Sequence, residues 1–454
     1  MNFGKKIYEY KDSILEDLKT LLEIKSVSAD GVYGPKEALD FILNRAKEMG
    51  FQVKNVEDKA GHIQLGEGGV LCGALTHLDV VPSGSNWSVP AFSLTEKDGR
   101  LFGRGIIDDK GASIINLYCL KALKDSGVEG VNTLRCIYGT DEEVGMTDME
   151  TYFQNEQLPE ISFTPDSNYG ICYAEKGILQ IKVYADRNDG KILNGFEAGD
   201  ALNAVPDTAE VLLYSSDSEE NQMLNNRKNI EGQFDFSQTI DGLVIKCQGK
   251  AAHACEPYKG RNAASDLVEL LSSFYNEEEL GSICTFIKNS INNQTDGTSL
   301  GLKVHDSASG DLTCNLGTVR IDDEQAYCTL DIRYPVSVNG KDIVKHIKRC
   351  VKRKGLNAKT IHHSLPLYLP KDSKTIKVLS EAYSEVMGEN PELYVTGGGT
   401  YARMLGGKGV AFGPAFIDDN VNMHNADESV DKEKFFKHAE ICLQAFYKLY
   451  TEKL

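Results

Sequence analysis

Apolar residues recur at two different spacings along this 454-residue chain. Near its start Leu15, Leu18, Leu21 and Leu22 fall on one helical face. SIINLYCLKALKDSG (113–127) has the same period and closes on a glycine, which predicts a helix with its stop signal. GGVLCGALTHLDVV (68–81) and VNTLRCIYGTDEE (131–143) are instead short apolar runs, the texture of strands buried on both faces. Strand, helix, strand in this order predicts an α/β layer. From about Ile178 the pattern changes to alternation, as in LQIKVYAD (179–186) and DGLVIKCQG (241–249), with polar, Asn-rich loops expected around 215–235 and 288–298. Two prolines in SLPLYLPKDS (364–373) then punctuate the chain. The helix TIKVLSEAYSEVMG (375–388), a glycine run at 397–399 and a last strand–helix pair follow. The expected division is therefore 1–178 as the first part of one domain, 179–365 as an inserted domain and 366–454 as the second part of the first.

Composition narrows the class. Hydrophobic residues at 41% and charged residues at 26% are those of a globular chain, and the length suits two or three compact units. The 67 acidic side chains against 49 basic ones give a net charge of −18, which repels phosphate backbones and anionic membranes, so nucleic acid is not an expected partner. No apolar run approaches the roughly 18 residues of a membrane span, and the N-terminal segment lacks the pattern of a signal peptide. The 11 cysteines are scattered, with no C-x-x-C pair, and read as free, mostly buried thiols of a cytoplasmic protein.

Surplus carboxylates also serve as metal ligands and general bases, so their placement matters more than their number. Four segments of the α/β portion end in metal-capable residues: His77-Leu78-Asp79, Asp108-Asp109, Asp141-Glu142-Glu143 and Pro165-Asp166-Ser167. Ligands of open α/β sheets gather beyond the carboxyl ends of strands, which predicts convergence on one crevice. Residues two apart on a strand share a face, so the Asp79 carboxylate is expected on the side of His77, orienting its imidazole. Carboxylates packed together repel one another, and a divalent metal is the natural counter-charge. Singly, such segments are ordinarily capped loops or solvated turns; their recurrence after buried strands sets them apart.

These residues resemble a known family. THLDVVP (76–82), GRGIIDDKGA (103–112), GTDEEVGM (139–146), FTPDSNYG (163–170), AAHACEPYKGRNA (251–263) and NMHNADESV (422–430) are similar, in order and over almost the whole chain, to motifs of the ArgE/DapE/carboxypeptidase-G di-metal peptidases, and most of all to PepV-like dipeptidases. The resemblance implies an α/β fold, with a phosphorylase/hydrolase-like mixed-sheet catalytic domain and an inserted α+β lid domain. It also implies that His77, Asp108, Glu143, Asp166 and His424 hold two metals with Asp108 shared, that Glu142 is the general base and that Asp79 tunes His77. The preference for Asp108 over Asp109 comes from the family pattern, since spacing does not separate them. SGSNWSVP (83–90) departs from the family in being short and lacking an acid, which touches a loop and no ligand.

In the inserted segment the resemblance assigns His253 to polarising the scissile carbonyl, and Asn203 and Arg333 to substrate contact, Arg being suited to a bidentate grip on a carboxylate. It places Gly398 and Gly399 in the substrate pocket with Arg403 supporting them. The glycine run is no P-loop, because no Gly-Lys-Ser/Thr follows, and Gly103-Arg104-Gly105 lacks the third glycine of a dinucleotide fingerprint. His62, His305, His346, His362, His363 and His438 match no motif and read as surface or capping residues. The expected activity is metal-dependent hydrolysis of dipeptides with a free N-terminus; the alternative is an N-acyl- or succinyl-amino-acid amidohydrolase with the same metals. Mixed His/carboxylate ligation suits zinc first, with manganese or cobalt also accommodated. The long inserted segment predicts a monomer.

Overall fold

A computed structural model describes residues 2–214 and 232–454. These form two compact units: Met1–Ala174 with Leu367–Val395 and Gly399–Leu454, and Glu175–Pro366 with Thr396–Gly398.

The first unit is built on a nine-stranded mixed sheet. At its centre lie three parallel strands, β1 (Leu71–His77), β2 (Thr133–Gly139) and β3 (Ile161–Thr164), with β1 between the other two. All seven residues of β1 are buried, as an uninterrupted apolar run requires of a strand covered on both faces. The helix α1 (Lys110–Asp125) is buried along almost its whole length and packs against β1 and the helices Lys11–Glu23 and Lys432–Thr451. It starts three residues before the apolar period announces it. Its first turn carries Lys110, whose buried ammonium donates to the Leu21 and Ile24 carbonyls and so hides a charge in an apolar setting. Gly127, at φ +62°, ends it in the left-handed conformation that glycine adopts without strain.

The second unit carries an eight-stranded sheet whose neighbouring strands are all antiparallel. The predicted alternation places Leu179, Ile181 and Val183 of Gly177–Ala185, and Leu243, Ile245 and Cys247 of Gly242–Gln248, in one core. The helices Ala263–Ser272, Glu277–Ser290 and Gly340–Lys352 complete that core.

Several local expectations need correction. Most of the loop expected at 215–235 lies outside the described residues, and its end is the strand Gln233–Thr239. The loop expected from 288 begins only after Ser290. Residues 396–398, expected with 366–454 in the first unit, belong to the second. There Thr396 O accepts the Lys176 N–H, and Gly397 O accepts from Arg333 Nη1. His62 and His438 are buried rather than superficial, their Nδ1 atoms bonded to the hydroxyls of Tyr152 and Tyr169 at 2.8 Å each. A pattern search that treats histidine as polar misses both.

Candidate metal centre

Three of the four acidic segments follow the carboxyl ends of β1, β2 and β3, which run parallel and side by side. Asp108-Asp109 arrives differently. It follows the strand Arg100–Phe102 of a small antiparallel sheet and leads directly into α1. It is therefore a loop-to-helix junction and not a strand end.

Donor atoms of His77, Asp108 and Glu143 lie within 4.8 Å of one another, and so do those of His77, Glu142 and Asp166. Asp108 faces two ways: Oδ1 is 2.8 Å from His77 Nε2, and Oδ2 is 2.8 Å from His424 Nε2. His424 Nε2 is 3.5 Å from Glu143 Oε2, and Asp166 Oδ2 is 4.0 Å from His77 Nε2. All five residues implied as ligands thus meet around one carboxylate.

Hydrogen bonding fixes the orientation of His77. Its Nδ1 lies 2.9 Å from the carbonyl oxygen of Asp79, which can only accept, so the neutral ring carries its proton there and leaves the Nε2 lone pair available to a cation. The carbonyl, not the carboxylate, makes this contact; Asp79 Oδ1 is 3.4 Å away. The carboxylate is occupied with the loop after β2, where Oδ1 accepts the Glu142 N–H at 3.2 Å and Oδ2 the Glu143 N–H at 3.1 Å. Asp79 therefore serves His77 through its backbone and the glutamates through its side chain. Asp109 accepts the His77 N–H at 3.3 Å from outside the cluster.

The electrostatics ask for cations. Burial, and then Asp166, push the Glu142 carboxyl well above its ordinary range, while burial and then Asp108 do the same to Asp166. Burial acts against both histidines, yet Asp108 with Asp79 raises His77, and Asp108 with Glu143 raises His424. Carboxyls buried this close together favour either bound protons or a compensating cation. His77 Nε2, Asp108 Oδ1 and Glu143 Oε1 are buried with no hydrogen-bond partner, although the first two are 2.8 Å apart. Potential ligand atoms this close together and without hydrogen-bond partners fit metal ligation.

Two further buried acids brace this centre. Glu428 pairs with Arg104 at 2.6 Å and accepts the N–H groups of Gly105, Ile107 and Asp108 at 3.1–3.4 Å. Arg104 Nη2 also donates to Asn425 O at 3.2 Å, anchoring the segment beside His424. His424 itself has φ +62° and a side chain 51% exposed. Asp148, in the helix Thr147–Asn155, is the second brace and holds the loop of Glu142. Neither acid is marked by the sequence: Glu428 lies inside the segment 422–430 without being an implied ligand, and Asp148 lies two residues beyond the segment 139–146.

The residues implied for substrate contact divide between the units. In the second, exposed Asn203 and His253 sit on adjacent segments joined by the Ala204–His253 bridge. Arg333 is buried and spends its bidentate grip on Asp331 at 2.6 and 2.9 Å, with Nη1 on Gly397 O at 2.7 Å. The open fork expected for a substrate carboxylate is thus closed by an internal acid two residues away on the same strand face. Gly398 N–H is bonded to Thr396 Oγ1 within this unit. In the first unit Gly399 leaves the space into which the Arg403 guanidinium packs. Cys255 and Cys350 are the half-buried thiols; the other nine cysteines are buried, and all 11 are free. Among the described residues no helix is long and apolar enough to cross a membrane.

Comparison with known proteins identifies the family of the chain. A Staphylococcus saprophyticus protein bearing the name "Putative dipeptidase SSP1012" is 33% identical over 468 residues, covering 99% of each chain. The dipeptidase Dug1p of Saccharomyces cerevisiae shares the fold with a TM-score of 0.61 at 14% identity, over 99% of this chain and 98% of its own. The aminoacylhistidine dipeptidase of Vibrio alginolyticus does so with a TM-score of 0.60 at 13% identity, over 97% of each chain. Residues 74–448 match peptidase family M20/M25/M40, and the chain belongs to that family: it is a peptidase, a hydrolase of peptide bonds.

Proposed function

We propose that the enzyme is a dipeptidase that cleaves dipeptides with a free N-terminus and depends on two divalent cations. The observation that carries this reading is Asp108, with one carboxylate oxygen toward His77 and the other toward His424. His77 with Asp166 would hold one cation and Glu143 with His424 the other, Asp108 being shared. When bound, such a pair supplies Lewis acidity that acidifies water and polarises an amide carbonyl. Zinc is the first choice, with manganese or cobalt also accommodated by the donor set.

Glu142 is the general base in this reading. Its carboxylate takes a proton from the attacking water and returns it to the leaving amine nitrogen, a role that suits a carboxyl whose proton affinity burial has raised. Asp79 keeps Glu142 and Glu143 in register through their N–H groups. His253 is assigned to donating to the carbonyl oxygen as negative charge develops there. Asn203, Gly398, Gly399 and Arg403 are assigned to the substrate backbone, and the inserted domain to the role of a lid that limits substrate length. Arg333 is assigned to holding Gly397, and through it the glycine run. We also assign a monomeric, cytoplasmic enzyme; a mass in light scattering near 50.0 kDa at every concentration supports the monomer, and twice that overturns it.

The deciding experiment strips the protein of metal, reconstitutes it separately with zinc, manganese and cobalt, and offers dipeptides, tripeptides and N-acyl-amino acids. Dipeptide hydrolysis that requires the cation is expected. Preference for N-acyl-amino acids would replace this reading with the amidohydrolase one, and turnover by the stripped protein would remove the metals from it.

A further inference from the structure

The loop that carries Glu142 is held at every peptide from 140 to 143, and by two different acids. Asp79 accepts the N–H groups of Glu142 and Glu143. Asp148 Oδ2 accepts those of Thr140 at 2.6 Å and Asp141 at 3.1 Å. The same oxygen accepts the hydroxyl of Tyr401, while Oδ1 accepts the Met149 N–H at 2.6 Å. Four donors thus converge on a carboxylate only 1% exposed.

Access to this position depends on Gly139, the last residue of β2. A Cβ there would overlap both the Tyr401 hydroxyl and Asp148 Oδ2, so the absent side chain is what lets them reach the backbone. Tyr401 is fully buried, and its ring meets His77 edge-on, with centroids 6.1 Å apart at 90°. One hydroxyl therefore connects the base-bearing loop to a ring that packs on a ligand.

We propose that Asp148, with Tyr401 as its partner, is a positioning residue for Glu142: it fixes the backbone at 140–141 as Asp79 fixes 142–143, and the two together set the direction in which the Glu142 side chain leaves the loop. This rests on the reading of Glu142 as the base. A second role for Asp148 lies near at hand, because it is the second residue of the helix Thr147–Asn155, where an acid stabilises the helix start. That role predicts lost stability without a specific loss of turnover. Positioning predicts the reverse, because a carboxylate displaced by a fraction of an ångström still binds substrate but transfers protons slowly.

The test uses the full-length, metal-loaded enzyme with Tyr401→Phe, which keeps the ring and removes the hydroxyl, and with Asp148→Ala. Expected on a dipeptide is a fall in kcat of about 10-fold for Tyr401→Phe and about 100-fold for Asp148→Ala, with KM and metal content within about twofold of wild type. In parallel, hydrogen exchange read by mass spectrometry over 139–149 should show the amides of 140–143 exchanging at least about tenfold faster in the variants, with those of β2 unchanged. Unchanged kcat with unchanged exchange overturns the proposal, and so does a loss of activity that only tracks lost metal or lost folded protein. If Asp148→Ala does not fold, Tyr401→Phe decides. Wild-type enzyme inactive on dipeptides overturns the dipeptidase reading instead, and the exchange measurement then decides the positioning proposal by itself.

Discussion

The two segments that carry Glu143 and His424 reach the same carboxylate, Asp108, by opposite designs. The segment 140–143 is fixed peptide by peptide, its N–H groups taken in pairs by Asp148 and Asp79. The segment 422–428 is fixed at points, by Arg104 on Asn425 O and by Glu428, and just before them His424 stands half-exposed in a left-handed conformation. A proton-transfer group gains from orientation held to a fraction of an ångström, whereas a ligand is oriented partly by the cation it binds. In the proposed function, the difference between the two segments follows the difference between those tasks.

That contrast is open to attack at several strengths. Glu142→Ala should lower kcat by about 10³–10⁴-fold while elemental analysis finds the wild-type metal content; activity near wild type would leave the clamped segment without a catalytic purpose. Glu428→Ala removes the partner of buried Arg104 and should cost about 3–5 kcal/mol in denaturant unfolding, much the largest stability loss among these changes. His424→Ala should weaken retention of one cation by about 100-fold or more, and two tightly held metals in this variant would show that the exposed segment ligates nothing.

A smaller effect comes from the histidines that the apolar pattern concealed. Burial lowers His438 to about 3 and His62 to about 4, against about 6.5 in an unfolded chain. The unfolded chain then binds more protons below pH 6.5, so their contribution is complete above that pH and is lost as pH falls toward 4 and then 3. His438→Gln should lessen the acid-side loss by up to about 1.4 kcal/mol per pH unit between 6 and 4. Parallel unfolding curves for variant and wild type across that range would show that His438 titrates normally in the folded protein.

Much of this architecture is legible in the sequence for a simple reason. A strand buried on both faces must be an apolar run, and the polar residues that end it must lie at the sheet's edge, so His77, Glu142 and Asp166 announce their shared location. Asp108 was placed by motif and not by periodicity, because a loop feeding a helix has no apolar signature. What escaped was the pairing of a polar side chain with its particular partner, near or far in the chain, which no apolar pattern records. Arg333 reads as an open cation until Asp331 is seen to close its fork, and Asp148 reads as one more acid at a helix start until Thr140, Asp141 and Tyr401 are seen to share it. Lys110 and His438 show the same limit inside the core, where a polar side chain with a fixed partner looks like a break in the pattern.

The acids that hold amides have one more consequence. Asp148 and Glu428 meet backbone N–H groups, a tyrosine hydroxyl and an arginine, so the frame around the ligands is assembled from protein alone. Cation exchange is then a matter of filling a standing scaffold and not of refolding one, unlike small metal-nucleated domains. Protein stripped by a chelator should keep its far-UV and near-UV circular dichroism, and it should recover at a rate set by the concentration of added cation.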